Sequence, residues 1–322
     1  MRICLLTPAP PGSYHGNRVT AVRWADILRG LGHEVQVAPD YHGQPADLLV
    51  ALHARRSAES VRRFRMQHAN DPVVLALTGT DLYPQLTSED QPVLELADRL
   101  IVLQRLGVEQ LPAHLRGRAR VVYQSVPPLP LVAPPTDYFE VLVLAHLRPV
   151  KDPLLAAAAA RLLPGDSRVR IRHAGLAIDR ELGERAAHES HDNPRYHWLG
   201  ELPRSKALQL LASSRLLLLT SQHEGGANAV SEALAAGVPI LGTRIPGTIG
   251  ILGADYPGYF PVGDPARLAQ LLRRAETHKK WYEELRRQCA ALRTLVAPER
   301  ERESWRRLLA ELASHNPPAI TS

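Results

Sequence analysis

The chain has 322 residues, 45% of them apolar and 22% charged, which excludes a disordered or low-complexity protein and leaves room for two cores. Its net charge is +6, yet aromatic residues are only 5% and no nucleic-acid motif is present, so stacking platforms for single strands are not expected. No apolar run approaches the ~20 residues of a membrane span, and the opening Arg2-Ile3-Cys4-Leu5-Leu6-Thr7 reads as a strand rather than a leader peptide.

The first half alternates. Patterning predicts strand 2–7, helix 17–30, strands 33–38 and 47–52, helix 57–69, strand 72–77, helix 89–97, strand 99–103, helix 104–114 and strand 119–123. The loop after the first strand, residues 8–18, lacks the G-x-G-x-x-G fingerprint, which disfavours a dinucleotide-binding dehydrogenase. Gly16 permits close backbone approach, and Arg18 offers a planar fork suited to phosphate. The alternative is that Asn17 caps the helix and Arg18 is a surface cation. His53 and Arg55 stand where a strand enters a helix, and His53 is either an acid/base or a structural histidine. Thr80 and Asp81, after strand 72–77, can bind a hydroxyl or a nucleophile, or simply build an Asx or ST turn.

Residues 126–135 contain five prolines, which cannot continue a helix or a central strand, so an extended linker is expected there. The second half resumes the alternation: strand 139–145, helix 153–163, strand 168–174, helix 179–188, strand 195–199, helix 204–213, strand 215–219, helix 227–236, strand 238–242, then amphipathic helices from about 266 to 313. Such alternation argues for parallel sheets with helices on both faces, in domains 1–130 and 136–297. Residues 298–322 are expected to form a last helix, with Trp305 and Leu308 available to pack.

The most informative segment is Gln222-His223-Glu224-Gly225-Gly226-Ala227-Asn228-Ala229-Val230-Ser231-Glu232, between an apolar strand and an alanine-rich helix that stops at Gly237. It sets two carboxylates, Glu224 and Glu232, and a helix N-terminus at the carboxyl edge of a parallel sheet. Free helical N–H groups hold phosphate, whereas carboxylates repel it and so should face hydroxyls. Phosphate plus hydroxyls suggests a sugar nucleotide.

This segment resembles the E-x-x-x-x-x-x-x-E element of the retaining glycosyltransferases of family 4, which have the GT-B fold. Residues 242–248 and 261–265 extend the likeness, and residues 144–153, with Lys151 on the family lysine, resemble the loop that faces the donor diphosphate. The family arginine of that loop falls on His146, with Arg148 two residues later, so either could take its place. The reading without the family is a helix start with exposed cations. The resemblance implies two Rossmann-like domains facing across a cleft, with the last helix returning to the first. It implies that Gly16, Asn17, His146, Arg148, Lys151, Glu224, Gly225, Gly226, Ala227, Asn228, Ala229 and Glu232 bind the donor. Arg18, Arg55, Thr80 and Asp81 would face the acceptor, and Glu224, Lys151, Arg148 and His53 would carry catalysis. Glu232 would hold the ribose and Glu224 the transferred sugar. A cation pair would stabilise the departing UDP, so neither metal nor cofactor is required.

Residues 7–10, 16–25, 52–58, 77–83 and 146–153 together are similar to the selenosugar synthases of selenoneine biosynthesis. That likeness implies transfer of N-acetylglucosamine from a UDP-sugar to selenophosphate, forming a carbon–selenium bond. A conventional family 4 enzyme with a sugar, lipid or small-alcohol acceptor is the alternative, and a UDP-sugar epimerase of the same fold a more distant one. The partners expected are small molecules, with no nucleic acid. Cys4 and Cys289 lie far apart in sequence and make no disulfide framework or metal site, which fits a cytoplasmic protein. The basic excess fits a solvated surface, anionic substrates or anionic lipid.

Overall fold

A computed structural model describes residues 1–87, 89–130 and 132–315. The chain divides into two compact units, residues 1–124 with 298–322, and residues 125–297. Position 131 of the expected linker and residues 316–322 of the expected last segment lie outside the described residues. The described linker residues 126–130 and 132–135 are neither helix nor strand.

The first unit runs β1 (Arg2–Leu6), α1 (Gly16–Gly30), β2 (Glu34–Ala38), β3 (Leu48–Leu52), α2 (Ala54–Gln67), β4 (Val73–Leu77), α3 (Gln91–Glu95), β5 (Arg99–Val102) and β6 (Ala119–Val121). All pairings are parallel, in the order β2-β1-β3-β4-β5-β6. β3 and β4 are buried along their whole length, which is why they read as continuous apolar runs rather than alternating ones. Successive residues still point to opposite faces: Leu49 and Ala51 join Phe64 on one side, and Leu48, Val50 and Leu52 join Trp24 on the other. The second face is completed by the C-terminal helix, Pro298–His315, whose Trp305 meets Trp24 edge to face at 5.0 Å between centroids. Trp24 Nε1 donates to Glu301 Oε1 at 2.7 Å, so the indole is satisfied where it is buried.

Segment 104–114 is not the single helix expected. It forms two short 3₁₀ turns, Arg105–Gly107 and Ala113–Arg118. Gly107 lies so close to β5 that a Cβ there would stand 2.9 Å from Val102 Cβ, and Pro112 supplies no N–H to carry a helix onward.

The second unit runs β7 (Phe139–Leu144), α4 (Leu155–Arg161), β8 (Val169–Ala174), α5 (Arg180–Asp192), β9 (Tyr196–Trp198), α6 (Arg204–Ala212), β10 (Leu216–Leu219), α7 (Asn228–Ala236), β11 (Ile240–Thr243), α8 (Pro246–Leu252), β12 (Tyr259–Phe260), α9 (Pro265–Thr277) and α10 (Lys279–Ala291). Its sheet is also all parallel, ordered β12-β11-β10-β7-β8-β9. The patterning missed α8 and β12, which are too short to show a period. Each sheet reverses its winding once, between β1 and β3 in the first and between β7 and β10 in the second. Ligands of open parallel sheets bind outside the carboxyl ends of the strands at such points. No described helix is long and apolar enough to cross a membrane.

Candidate active site

In the second unit, β7 runs out into residues 145–151 and β10 into residues 220–224, so the switch point brings together segments remote in sequence. Two hydrogen bonds staple them: Gln222 N donates to Val150 O at 2.8 Å, and Thr220 Oγ1 to Lys151 O at 2.7 Å. Lys151 Nζ then meets Glu224 Oε1 at 2.5 Å, and Ser221 Oγ donates to the same oxygen at 2.6 Å. Glu224 is buried, so this pairing offsets a desolvated charge. Gly247 at the start of α8 lets that helix press on the site, since a Cβ there would collide with Glu224 O and stand 2.7 Å from Glu224 Cβ.

Gly225, Gly226 and Ala227 are buried in the turn that leads into α7. The N-cap is Ala227, whose side chain has no atom to cap the helix. Asn228 and Ala229 open the first turn, and no acidic residue stands in it to oppose an anion at the dipole's positive end. One turn on, Glu232 is buried. Arg204 Nη1 at the start of α6 stands 2.7 Å from its Oε1, an ion pair that offsets the buried charge. A carboxylate has about four lone-pair sites, so Glu232 keeps acceptor capacity beyond this contact. Sequence reasoning missed Arg204. The Pro203-Arg204 pair opening a helix was the available signal, but nothing local linked it to Glu232.

Of the cations before α4, His146 and Arg148 part company. His146 Nδ1 accepts from Leu176 N at 3.0 Å, stitching the ends of β7 and β8. The Arg148 guanidinium has no hydrogen-bond or ion-pair partner among the described residues, which leaves it available to a ligand. Beneath this loop His173 is fully buried; its Nε2 stands 2.9 Å from Ala145 O and its Nδ1 2.8 Å from the Tyr196 hydroxyl. A carbonyl can only accept, so Nε2 carries the proton and Nδ1 takes one from Tyr196. Burial pushes the His173 pKa down to about 4. Gly175 lets β8 approach closely, for a Cβ there would run into Ala145 O. Asp152, which follows the Lys151 turn, holds a left-handed φ of 42°.

In the first unit, Gly16 opens α1, and the cap position is His15 rather than Asn17, which lies with Arg18 inside the first turn. The Arg18 guanidinium has no partner among the described residues. Arg55, by contrast, is engaged: its Nε and Nη2 donate to Asp90 at 2.9 and 2.7 Å, and this pairing pulls the Asp90 carboxyl down to about 2. His53 follows β3 with φ of 71°, a conformation uncommon for a residue with a side chain and typical of strained functional sites. Its Nε2 stands 3.1 Å from Thr80 Oγ1. Asp81 is fully buried rather than turned to a ligand. Its carboxylate accepts from Ala54 N, Thr78 N and Gly79 N at 2.9, 2.9 and 2.8 Å, which holds the ends of β3 and β4 together.

Residues 132–291 match the family profile described as glycosyl transferases group 1. That segment belongs to the group 1 glycosyltransferases. The chain is 36% identical over 101 residues to N-acetyl-alpha-D-glucosaminyl L-malate synthase of Bacillus anthracis, a match over 30% of this chain and 26% of that protein. It is 24% identical over 304 residues to glycosyltransferase 1 domain-containing protein 1 of Xenopus tropicalis, covering 82% of this chain and 85% of that one. Among solved structures it is similar to Anabaena HepE in complex with UDP-glucose, with a TM-score of 0.76 at 16% identity over 98% of this chain and 100% of that one. The chain thus has two Rossmann-like α/β domains of the GT-B type. The profile covers β7 through α10, and so includes Lys151, Arg148, Glu224, Glu232 and Arg204.

Proposed function

We propose that this protein is a selenosugar synthase: it transfers a glycosyl group, N-acetylglucosamine, from a UDP-sugar to selenophosphate. The observation that carries the donor half is the Lys151–Glu224 pair, 2.5 Å apart, beside the start of α7 at the sheet's switch point. The N-terminus of α7 and the guanidinium of Arg148 suit a diphosphate, and Lys151 offsets the charge that grows on UDP as it departs. Glu232, paired with Arg204, keeps lone pairs for a ribose hydroxyl, and Glu224 with the turn 225–228 suits hydroxyls of the sugar. HepE, solved with UDP-glucose, supports a UDP-sugar as the donor. The malate synthase, whose name specifies an N-acetylglucosaminyl product, supports N-acetylglucosamine as the group transferred.

The acceptor half rests on the first unit. Arg18 is an uncommitted cation at the start of α1, and Thr80 is an exposed hydroxyl held by a buried histidine. The inventory suits a compact anion better than a lipid tail. Selenium is nucleophilic enough to need no strong base. Its attack on the anomeric carbon forms the C–Se bond as the C–O bond to UDP breaks, and UDP leaves with the electron pair. Hydrolysis of the P–Se bond then frees the selenol. A second reading, transfer to the hydroxyl of a small hydroxy acid, is favoured by the 36% identity to the malate synthase. The test is mass spectrometry of products from UDP-N-acetylglucosamine with selenophosphate, L-malate and glycerol in turn. A selenium-containing sugar is expected. Transfer to malate or glycerol with no selenium product would overturn the selenosugar reading and leave a conventional glycosyltransferase.

A further inference from the structure

We propose that Thr80 is an oriented hydrogen-bond donor to an oxyanion of the acceptor, its direction set by His53, and that Asp81 is a positioning residue for the pair. The inference deepens the anionic-acceptor half of the proposed function and rests on it.

The direction follows from a chain of obligate donors. Arg56 N–H points at His53 Nδ1 across 3.5 Å, and the ring nitrogen is the acceptor that caps α2. A neutral imidazole with Nδ1 accepting carries its proton on Nε2. Nε2 lies 3.1 Å from Thr80 Oγ1, so the ring donates to the threonine oxygen. The hydroxyl proton cannot then point back at the ring. Thr80 is exposed and makes no other side-chain hydrogen bond among the described residues, which leaves its proton to whatever approaches from outside.

The surroundings favour the neutral ring. Burial, first, holds the His53 pKa below its ordinary value; Asp81, 3.9 Å from Nδ1, works the other way, and the Arg56 and Arg55 cations add to burial. Asp81 contributes geometry instead. By accepting from Ala54, Thr78 and Gly79 it ties the residue after His53 to the loop that carries Thr80, and so sustains the left-handed backbone at His53. A hydroxyl with its oxygen already engaged and its proton outward suits an oxyanion and does little for a neutral alcohol, whose own proton needs an acceptor.

The experiment has two readouts. The first is calorimetric binding of inorganic phosphate to the full-length enzyme saturated with UDP. Thr80→Val should weaken phosphate about tenfold, as expected for loss of a hydrogen bond to a charged group, and Thr80→Ser should retain it. His53→Asn, chosen because asparagine tolerates the left-handed backbone, should weaken phosphate similarly. The double variant should be no worse than Thr80→Val, because the histidine acts through the threonine. UDP affinity should not change in any of them. The second readout is steady-state kinetics with selenophosphate, L-malate and glycerol: Thr80→Val should raise KM for the anions and leave KM for the UDP-sugar unchanged. If malate alone is glycosylated and Thr80→Val raises its KM, the selenosugar reading falls and this inference stands. No phosphate binding by the UDP-bound wild type, equal phosphate affinity in Thr80→Val, or additive losses in the double variant would each overturn it.

Discussion

Replacing His173 with glutamine gives a sharp test of how the loop after β7 is supported. The ring is fully buried between Ala145 O and the Tyr196 hydroxyl, with a pKa of about 4 against an ordinary 6.5. Above pH 6.5 folded and unfolded chains both carry it neutral, and it makes stability independent of pH. As pH falls below 6.5 the unfolded chain binds a proton that the folded chain refuses, so stability is lost until about pH 4, where the folded state protonates as well. At about 1.4 kcal/mol for each pKa unit, the full loss is roughly 3 kcal/mol. Glutamine keeps a donor and an acceptor but does not titrate. Urea unfolding of both proteins between about pH 7.5 and pH 4.5, followed by tryptophan fluorescence, should show the wild type losing roughly 2 to 3 kcal/mol more than the variant. Trp198 is a local reporter, because its Nε1 donates to Gly175 O at 2.9 Å in the same loop cluster. Parallel pH profiles for the two proteins would refute the buried, neutral assignment of His173.

Two further substitutions probe the site itself. Gly247→Ala adds a methyl against Glu224 O and 2.7 Å from Glu224 Cβ; backbone cannot yield cheaply, so a loss on the order of 1–3 kcal/mol in urea unfolding, together with lost transferase activity, is expected. On the proposed mechanism Lys151→Ala should lower kcat about a hundredfold in steady-state assays with UDP-N-acetylglucosamine, because the charge it would offset grows only as UDP leaves; an unchanged kcat would remove Lys151 from that mechanism.

Much of the architecture was readable in the chain because parallel strands buried on both faces leave apolar runs that need no partner to be recognised, as in Leu48–Leu52 and Leu216–Leu219. The start of α7 was legible for a similar reason: glycines, a small-residue helix and a terminal Gly237 with φ of 71° are all local requirements. Segment 104–114 misled because its composition suits a helix, while the close approach of Gly107 to Val102 is a tertiary demand. The same limit applies to function. Glu224 and Lys151 could each be picked out as candidate site residues, but not as an ion pair across 73 positions. Arg204 could not be joined to Glu232, nor His53 to Thr80. Asp81 had the chemistry of a ligand-facing carboxylate, and only its three backbone donors turn it inward.

By itself, then, the sequence determined most of the segments that become strands and helices and which loops carry charge, since those follow from side-chain periodicity and from glycine and proline over a few residues. The tertiary structure decided which charges are spent and which remain. Arg55 is bound to Asp90 while Arg18 and Arg148 stay uncommitted, and Asp81 is buried while Thr80 is exposed. Strand order sets those outcomes by choosing which loops meet at the sheet's carboxyl edge, and strand order depends on long-range burial that no local pattern records.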